Sequence, residues 1–166
     1  VQTAIKGGDL GDNLQVAFKE FDDTQRFLEK LNYLGKLDHP FLLPLLHLSI
    51  NKNFTVITPY MKNGNLLKLI LNNDSNLATQ KLCSLYAICS TMDFLNSIQL
   101  YHGILTPHKI LIKDNNDICI DNFNVLLEDR KKDLIHPIIQ SESLFYLSPE
   151  TLENDYCFTA KVDVYS

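Results

Sequence analysis

The chain has 166 residues, with 15 Lys+Arg against 20 Asp+Glu, a formal net charge of −5, and is 45% apolar and 21% charged. That length suits one domain with a sizeable core, and the composition excludes a wholly disordered chain. The acidic balance gives no footprint for nucleic acid or an anionic membrane surface. No apolar run approaches the roughly 20 residues of a spanning helix, and the first residues carry no signal-peptide pattern. A soluble cytoplasmic domain is the expectation.

In chain order, residues 1–5 and Val16–Phe21 read as strands joined by the turn-rich Gly7-Gly8-Asp9-Leu10-Gly11-Asp12-Asn13. Asp22, Asp23 and Thr24 supply capping oxygens and negative charge for a helix start. Phe27, Leu28, Leu31 and Leu34 form its apolar stripe, and Gly35 ends it. Residues 41–50 are apolar but interrupted by Pro44 and His47. Residues 54–58 form a β-branched strand, followed by a turn at Asn63-Gly64 and a short helix over residues 66–71.

From 79 to 98, apolar positions 82, 85/86, 89, 92 and 95 recur at helical spacing, which predicts a long helix with that stripe inward. Ile110, Leu111 and Ile112 pair across Asp114-Asn115-Asn116-Asp117 with Ile118, Cys119 and Ile120, as a tight hairpin. Residues 124–145 are irregular. The four cysteines include no CxxC pair and no histidine at ligand spacing, so neither a disulfide framework nor a zinc site is expected. Cys83 and Cys89, inside the helical pattern, read as small core residues. Strands in front and helices behind give an α+β class.

The order of these elements, with five landmarks on them, resembles a protein kinase domain, nearest to the tyrosine-kinase-like branch of the serine/threonine enzymes. Val16-Ala17-Phe18-Lys19 is similar to the V-A-I-K strand, whose lysine holds nucleotide phosphates. Leu37-Asp38-His39-Pro40 is similar to the turn after the family's first helix. The stretch from Thr55 to Leu66 is similar to the hinge, with Thr58 at the gatekeeper position and Tyr60 beside it. Tyr146-Leu147-Ser148-Pro149-Glu150 is similar to the A-P-E motif, and Asp163-Val164-Tyr165-Ser166 to the start of the large lobe's buried helix. The resemblance implies a two-lobed fold over residues 1–166. It assigns 1–60 to the small lobe and 61–166 to the hinge end and a partial large lobe, with both ends truncated. The Gly-rich loop would lie before Val1.

The same resemblance locates departures in the chemistry. The H-R-D-L-x-x-x-N loop corresponds to His102-Gly103-Ile104-Leu105-Thr106-Pro107-His108-Lys109. Ile104 therefore stands at the catalytic Asp position, where an aliphatic group can neither accept a proton nor orient a hydroxyl. Thr106 replaces the catalytic-loop lysine, and Lys109 replaces a metal-binding Asn, exchanging an oxygen ligand for a cation. D-F-G corresponds to Asn122-Phe123-Asn124, which leaves the neutral Asn122 at a metal-ligand position. A one-residue shift would put Asp121 there but break the match at Phe123. Counting to the helix glutamate that pairs with the strand lysine reaches Lys30, with Glu29 one step around the helix.

The implied function is a catalytically impaired kinase-like domain acting as a scaffold or allosteric partner, for instance of a related active kinase. One alternative is an ATP-dependent serine/threonine kinase with atypical catalytic residues. The other is a metal-independent nucleotide-binding switch. Lys19, Thr58, Tyr60 and Lys109 are the candidate nucleotide contacts. ATP is expected to bind weakly if at all, and Mg²⁺ is not expected.

Overall fold

The computed structural model describes residues 3–4, 15–21, 33–34, 36–50, 54–72, 77–115, 117–121, 142–152 and 160–166. Four strands, β1 (Thr3–Ala4), β2 (Val16–Phe21), β3 (His47–Ile50) and β4 (Phe54–Pro59), form an antiparallel sheet in the order β1-β2-β4-β3. The β2–β4 register sets Ala17 opposite Thr58 and Lys19 opposite Val56. Val16 and Val56 face the interior and are fully buried. β3 was not anticipated, because Pro44 and His47 break the alternation that marks a strand. Pairing with β4 supplies the backbone partners that the local sequence does not advertise.

Two helices follow. α1 (Leu66–Leu71) is capped by Asn65, whose side chain accepts from the Lys68 amide at 3.0 Å. The turn before it runs through Gly64 at φ +79°, a conformation that side chains disfavour, and an added Cβ would meet Lys68 at 3.1 Å. α2 (Leu77–Ser97) is the longest described element. The hairpin of β5 (Ile110–Ile112) and β6 (Ile118–Ile120) packs beneath it. Two short helices, α3 (Pro149–Leu152) and α4 (Ala160–Tyr165), complete the described elements apart from single turns at Pro107–Lys109 and Glu142–Tyr146.

The segment from His39 to Leu43 fastens the sheet to the hairpin. The Leu43 amide donates to the Ile120 carbonyl at 2.9 Å, and the Ile120 amide donates to the Phe41 carbonyl at 2.7 Å. Leu42, Leu43, Ile110, Ile112, Ile118, Cys119 and Ile120 then share one core with Val56, Ala87 and Leu95. His39 seats this segment on α2. Its ring stacks on Phe94 at 5.1 Å, and its Nδ1 accepts from the Phe41 amide at 3.4 Å. That leaves Nε2–H as the assigned donor to the Ser90 hydroxyl at 3.1 Å.

The inward face of α2 differs from the apolar stripe of the sequence. Ser84, Ala87, Thr91 and Leu95 are buried, whereas Leu82, Leu85, Tyr86, Cys83 and Cys89 are exposed. The two cysteines are thus surface thiols, not core residues. Polar hydroxyls turn inward because the His39 ring offers them partners, the Thr91 hydroxyl lying 3.4 Å from Nδ1. The apolar residues displaced from the core line an open flank, and Phe145, Val164 and Tyr165 are exposed as well. The assignments for residues 22–32, including Lys30 and Glu29, and for 122–124 lie outside the described residues.

This division predicts opposite responses on one helix. Leu95→Ala is expected to cost about 3 kcal/mol in urea denaturation, as buried leucine truncations do. Leu82→Glu with Leu85→Glu is expected to leave stability within about 0.5 kcal/mol while reducing binding of an apolar-surface dye. Equal losses from both would mean that the exposed flank is packed in solution.

Candidate functional site

The site is built around Asp121, immediately after β6. Its carboxylate Oδ2 lies 3.0 Å from Lys109 Nζ and 3.5 Å from Lys19 Nζ. Lys19 reaches it from β2, 102 positions away in the chain. Lys109 is held locally, because the Asp121 amide donates to the Lys109 carbonyl at 2.8 Å and the Lys109 amide donates to the Thr106 carbonyl at 2.8 Å. The three side chains are largely shielded, at 19% (Lys19), 24% (Lys109) and 14% (Asp121) relative exposure. Burial pushes the Lys19 ammonium below its usual range. The Asp121 charge pulls it back up, and the Lys109 charge lowers it further.

The loop from His102 to Thr106 is fixed from the other side. Asp163 on α4 accepts from the His102 amide at 2.9 Å and from the Gly103 amide at 2.7 Å. Gly103 has φ +79°, which favours glycine and lets two successive amides converge on one carboxylate. The His102 ring is fully buried, with Nε2 3.0 Å from the Asp121 carbonyl. Nε2–H is the assigned donor there, which leaves Nδ1 unprotonated; among the described residues Nδ1 has no partner. Ile104, Leu105 and Thr106 are buried behind it.

The sequence-derived site residues therefore separate into groups. Lys19 and Lys109 converge, and Asp121, considered only as a shifted metal ligand, is what they converge on. The available signal was its position as the acid just before Asn122. Thr58 is buried in β4 opposite Ala17, and Tyr60 is half-buried with its amide donating to the Gln15 carbonyl at 2.9 Å. Ile104 and Thr106 are enclosed in the loop interior. Asn122 lies outside the described residues. Among the described residues, no group of three or more His, Cys, Asp or Glu could hold a metal ion. Among the described residues, Asp121 is the carboxylate at the lysine pair, and it is already engaged by two ammonium groups, so these residues do not fit a divalent cation.

Chemically, the cluster carries two positive charges and one negative in a shielded setting, which suits anions and disfavours metal ions. Ile104, buried in the loop interior, is aliphatic and can neither accept a proton nor orient a hydroxyl. No described helix is long and apolar enough to cross a membrane.

His102 makes the site sensitive to acid. Burial lowers its pKa below the ordinary 6.5; the Asp163 and Asp121 charges and the hydrogen bond to the Asp121 carbonyl oppose this, and the Lys109 charge adds to it. Burial lowers the pKa of His39 too, against the charge of Asp38. The unfolded chain therefore takes up protons near pH 6.5 that the folded chain refuses. Stability is fully present above that value and is lost as pH falls toward the folded-state values. The melting temperature is expected to fall between about pH 7.5 and 5.5, and less steeply in His102→Gln. A melting temperature that rises on acidification over this range would contradict the assignment.

Comparison of the sequence with known proteins finds relatives. A family model described as protein tyrosine and serine/threonine kinase matches residues 3–166. A protein of Acanthamoeba polyphaga mimivirus, named as a serine/threonine-protein kinase/receptor, is 29% identical over 165 residues, 93% of this chain and 10% of its own length. Tyrosine-protein kinase csk-1 of Caenorhabditis elegans is 27% identical over 143 residues, 84% of this chain and 26% of its own. A protein of Dictyostelium discoideum, named as a probable inactive serine/threonine-protein kinase, is 30% identical over 154 residues, 86% of this chain and 13% of its own. The chain spans well under half the length of each.

Proposed function

The chain belongs to the protein tyrosine and serine/threonine kinase family, and from that premise we propose that it is a kinase-like domain impaired in phosphoryl transfer, acting as a scaffold or allosteric partner. One observation carries the reading. Ile104, at the position of the catalytic Asp, is an aliphatic side chain buried at 5% exposure. Transfer to a hydroxyl needs a group that orients the acceptor and takes its proton, and metal ligands that offset phosphate charge. Lys109 at a metal-ligand position, engaged with Asp121, supports the same conclusion. So does the relative whose own name carries the word inactive.

A scaffold acts by contact, and this chain offers apolar surface for it on α2 at Leu82, Leu85 and Tyr86. A protein partner such as a related kinase suits that surface. Free thiols at Cys83 and Cys89, both exposed, suit a reducing compartment, and we place the domain in the cytoplasm.

The test is a radiometric assay with ATP, Mg²⁺ and a generic protein acceptor. No transfer above the blank is expected, and Ile104→Asp is not expected to restore it. A carboxylate forced into that buried position costs several kcal/mol and still lacks a metal partner. Transfer by the parent chain that Lys19→Ala abolishes would contradict the proposal and favour an atypical active kinase.

A second reading has its own support. Protein kinases in general bind ATP, and here Lys19 and Lys109 converge where no metal is favoured. The chain then binds a nucleotide without Mg²⁺, weakly, through these two lysines, with Thr58 and Tyr60 on the hinge side. Calorimetry is expected to give ATP affinity in EDTA at least equal to that in Mg²⁺, and a loss of metal-free affinity in Lys109→Asn. Tighter binding with Mg²⁺ would rule this mechanism out.

A further inference from the structure

The lysine pair does not stand ready for an anion, because a carboxylate of the same chain already occupies it. Lys109 Nζ and Lys19 Nζ both approach one oxygen, Oδ2 of Asp121, at 3.0 and 3.5 Å. Any phosphate that is to engage both ammonium groups has to compete with that oxygen. We infer that Asp121 is a built-in counter-anion of this site, an internal competitor that a metal-free polyphosphate must displace from Lys19 and Lys109. This deepens the second reading above and rests on it.

The backbone geometry says how displacement proceeds. The Asp121 amide is held by the Lys109 carbonyl, and its own carbonyl lies 3.0 Å from His102 Nε2. The main chain is therefore pinned, and rotation of the short side chain is the movement that withdraws Oδ2 from the two ammonium groups. Lys109 shares this pinned framework, while Lys19 arrives from the sheet by the longer contact. An entering polyphosphate draws Lys19 away first and Lys109 second, and the carboxylate turns outward.

The charge balance defines the ligand class. Counted among themselves, the three groups sum to one positive charge; displacing Asp121 removes its negative charge from beside both ammonium groups. A single phosphate offers little more than the carboxylate already does. A chain of phosphates can satisfy both lysines at once and therefore gains most from displacement. A bound divalent metal would cancel that advantage and add repulsion from both lysines. Inorganic polyphosphate and the triphosphate tail of a nucleotide share this chemistry, and the experiment separates them.

The measurement is calorimetric titration of the 166-residue chain with sodium tripolyphosphate in EDTA at low ionic strength, where exposed charge is least screened. Asp121→Asn removes the competing charge and is expected to bind at least about tenfold tighter than the parent. Asp121→Glu restores a carboxylate and is expected to bind like the parent. Lys109→Met added to Asp121→Asn is expected to abolish the gain.

Equal or weaker binding by Asp121→Asn, or a gain that survives Lys109→Met, overturns the inference. Should Asp121→Asn fail to fold by circular dichroism, the parent is titrated with the Asp121 carboxyl carbon observed by NMR. A resonance that moves and saturates with ligand supports displacement. A static resonance, or no binding up to millimolar ligand, overturns it.

The same variants titrated with ATP in EDTA separate the two ideas. A gain for tripolyphosphate without ATP binding upholds the role of Asp121 and removes the nucleotide reading. ATP bound equally by parent and Asp121→Asn does the reverse.

Discussion

A shielded carboxylate flanked by two ammonium groups is the interaction from which the rest of this site follows. Two lysines brought together away from bulk water would repel each other by several kcal/mol at the effective dielectric of a protein surface. Asp121 makes their convergence tolerable, since its Oδ2 serves both. The same residue ties the hairpin to the loop through its amide, to Lys109, and through its carbonyl, to the buried His102 ring. One residue thereby couples a strand of the four-stranded sheet to the loop that carries Ile104.

That loop is held from below by Asp163, whose carboxylate collects the amides of His102 and Gly103. The framework and the chemistry have parted company here. The groups that shape the loop (His102, Gly103, Asp163) form a connected and mostly satisfied network. The positions that the family resemblance assigns to an acid-base group and a metal ligand hold an aliphatic side chain, Ile104, and a cation, Lys109. A loop can keep its shape through backbone hydrogen bonds while its side chains lose the means to do chemistry. Family membership and the impaired transfer proposed above are therefore compatible.

Much of the fold was legible because local pattern and tertiary pairing agree in it. The β5–β6 hairpin and α1 follow from an Asp/Asn turn and from the helix read after Asn63-Gly64, each satisfied within a few residues, and β2 was read as a strand although its partner β4 is distant, with Val16 opposite Pro59. β3 was not legible, since its pairing with β4 overrides Pro44 and His47. The inward face of α2 was misread because apolar spacing alone cannot say that the His39 ring will draw Ser90 and Thr91 toward it. At the site, Lys19 was legible as a match to a motif, and Lys109 and Ile104 as departures from one. Asp121 was visible only as a shifted motif residue, because its role comes from a contact 102 positions long that no local pattern encodes.

The central claim is that Asp121 and Lys109 interact as a pair and are not merely neighbours. A double-mutant cycle on Asp121→Asn and Lys109→Met, read by urea denaturation at low and moderate salt, tests it most directly. The account predicts a favourable coupling of about 1–3 kcal/mol that shrinks only partly with salt, as expected for a shielded pair. Additive effects of the two substitutions, with no coupling beyond error, would contradict it.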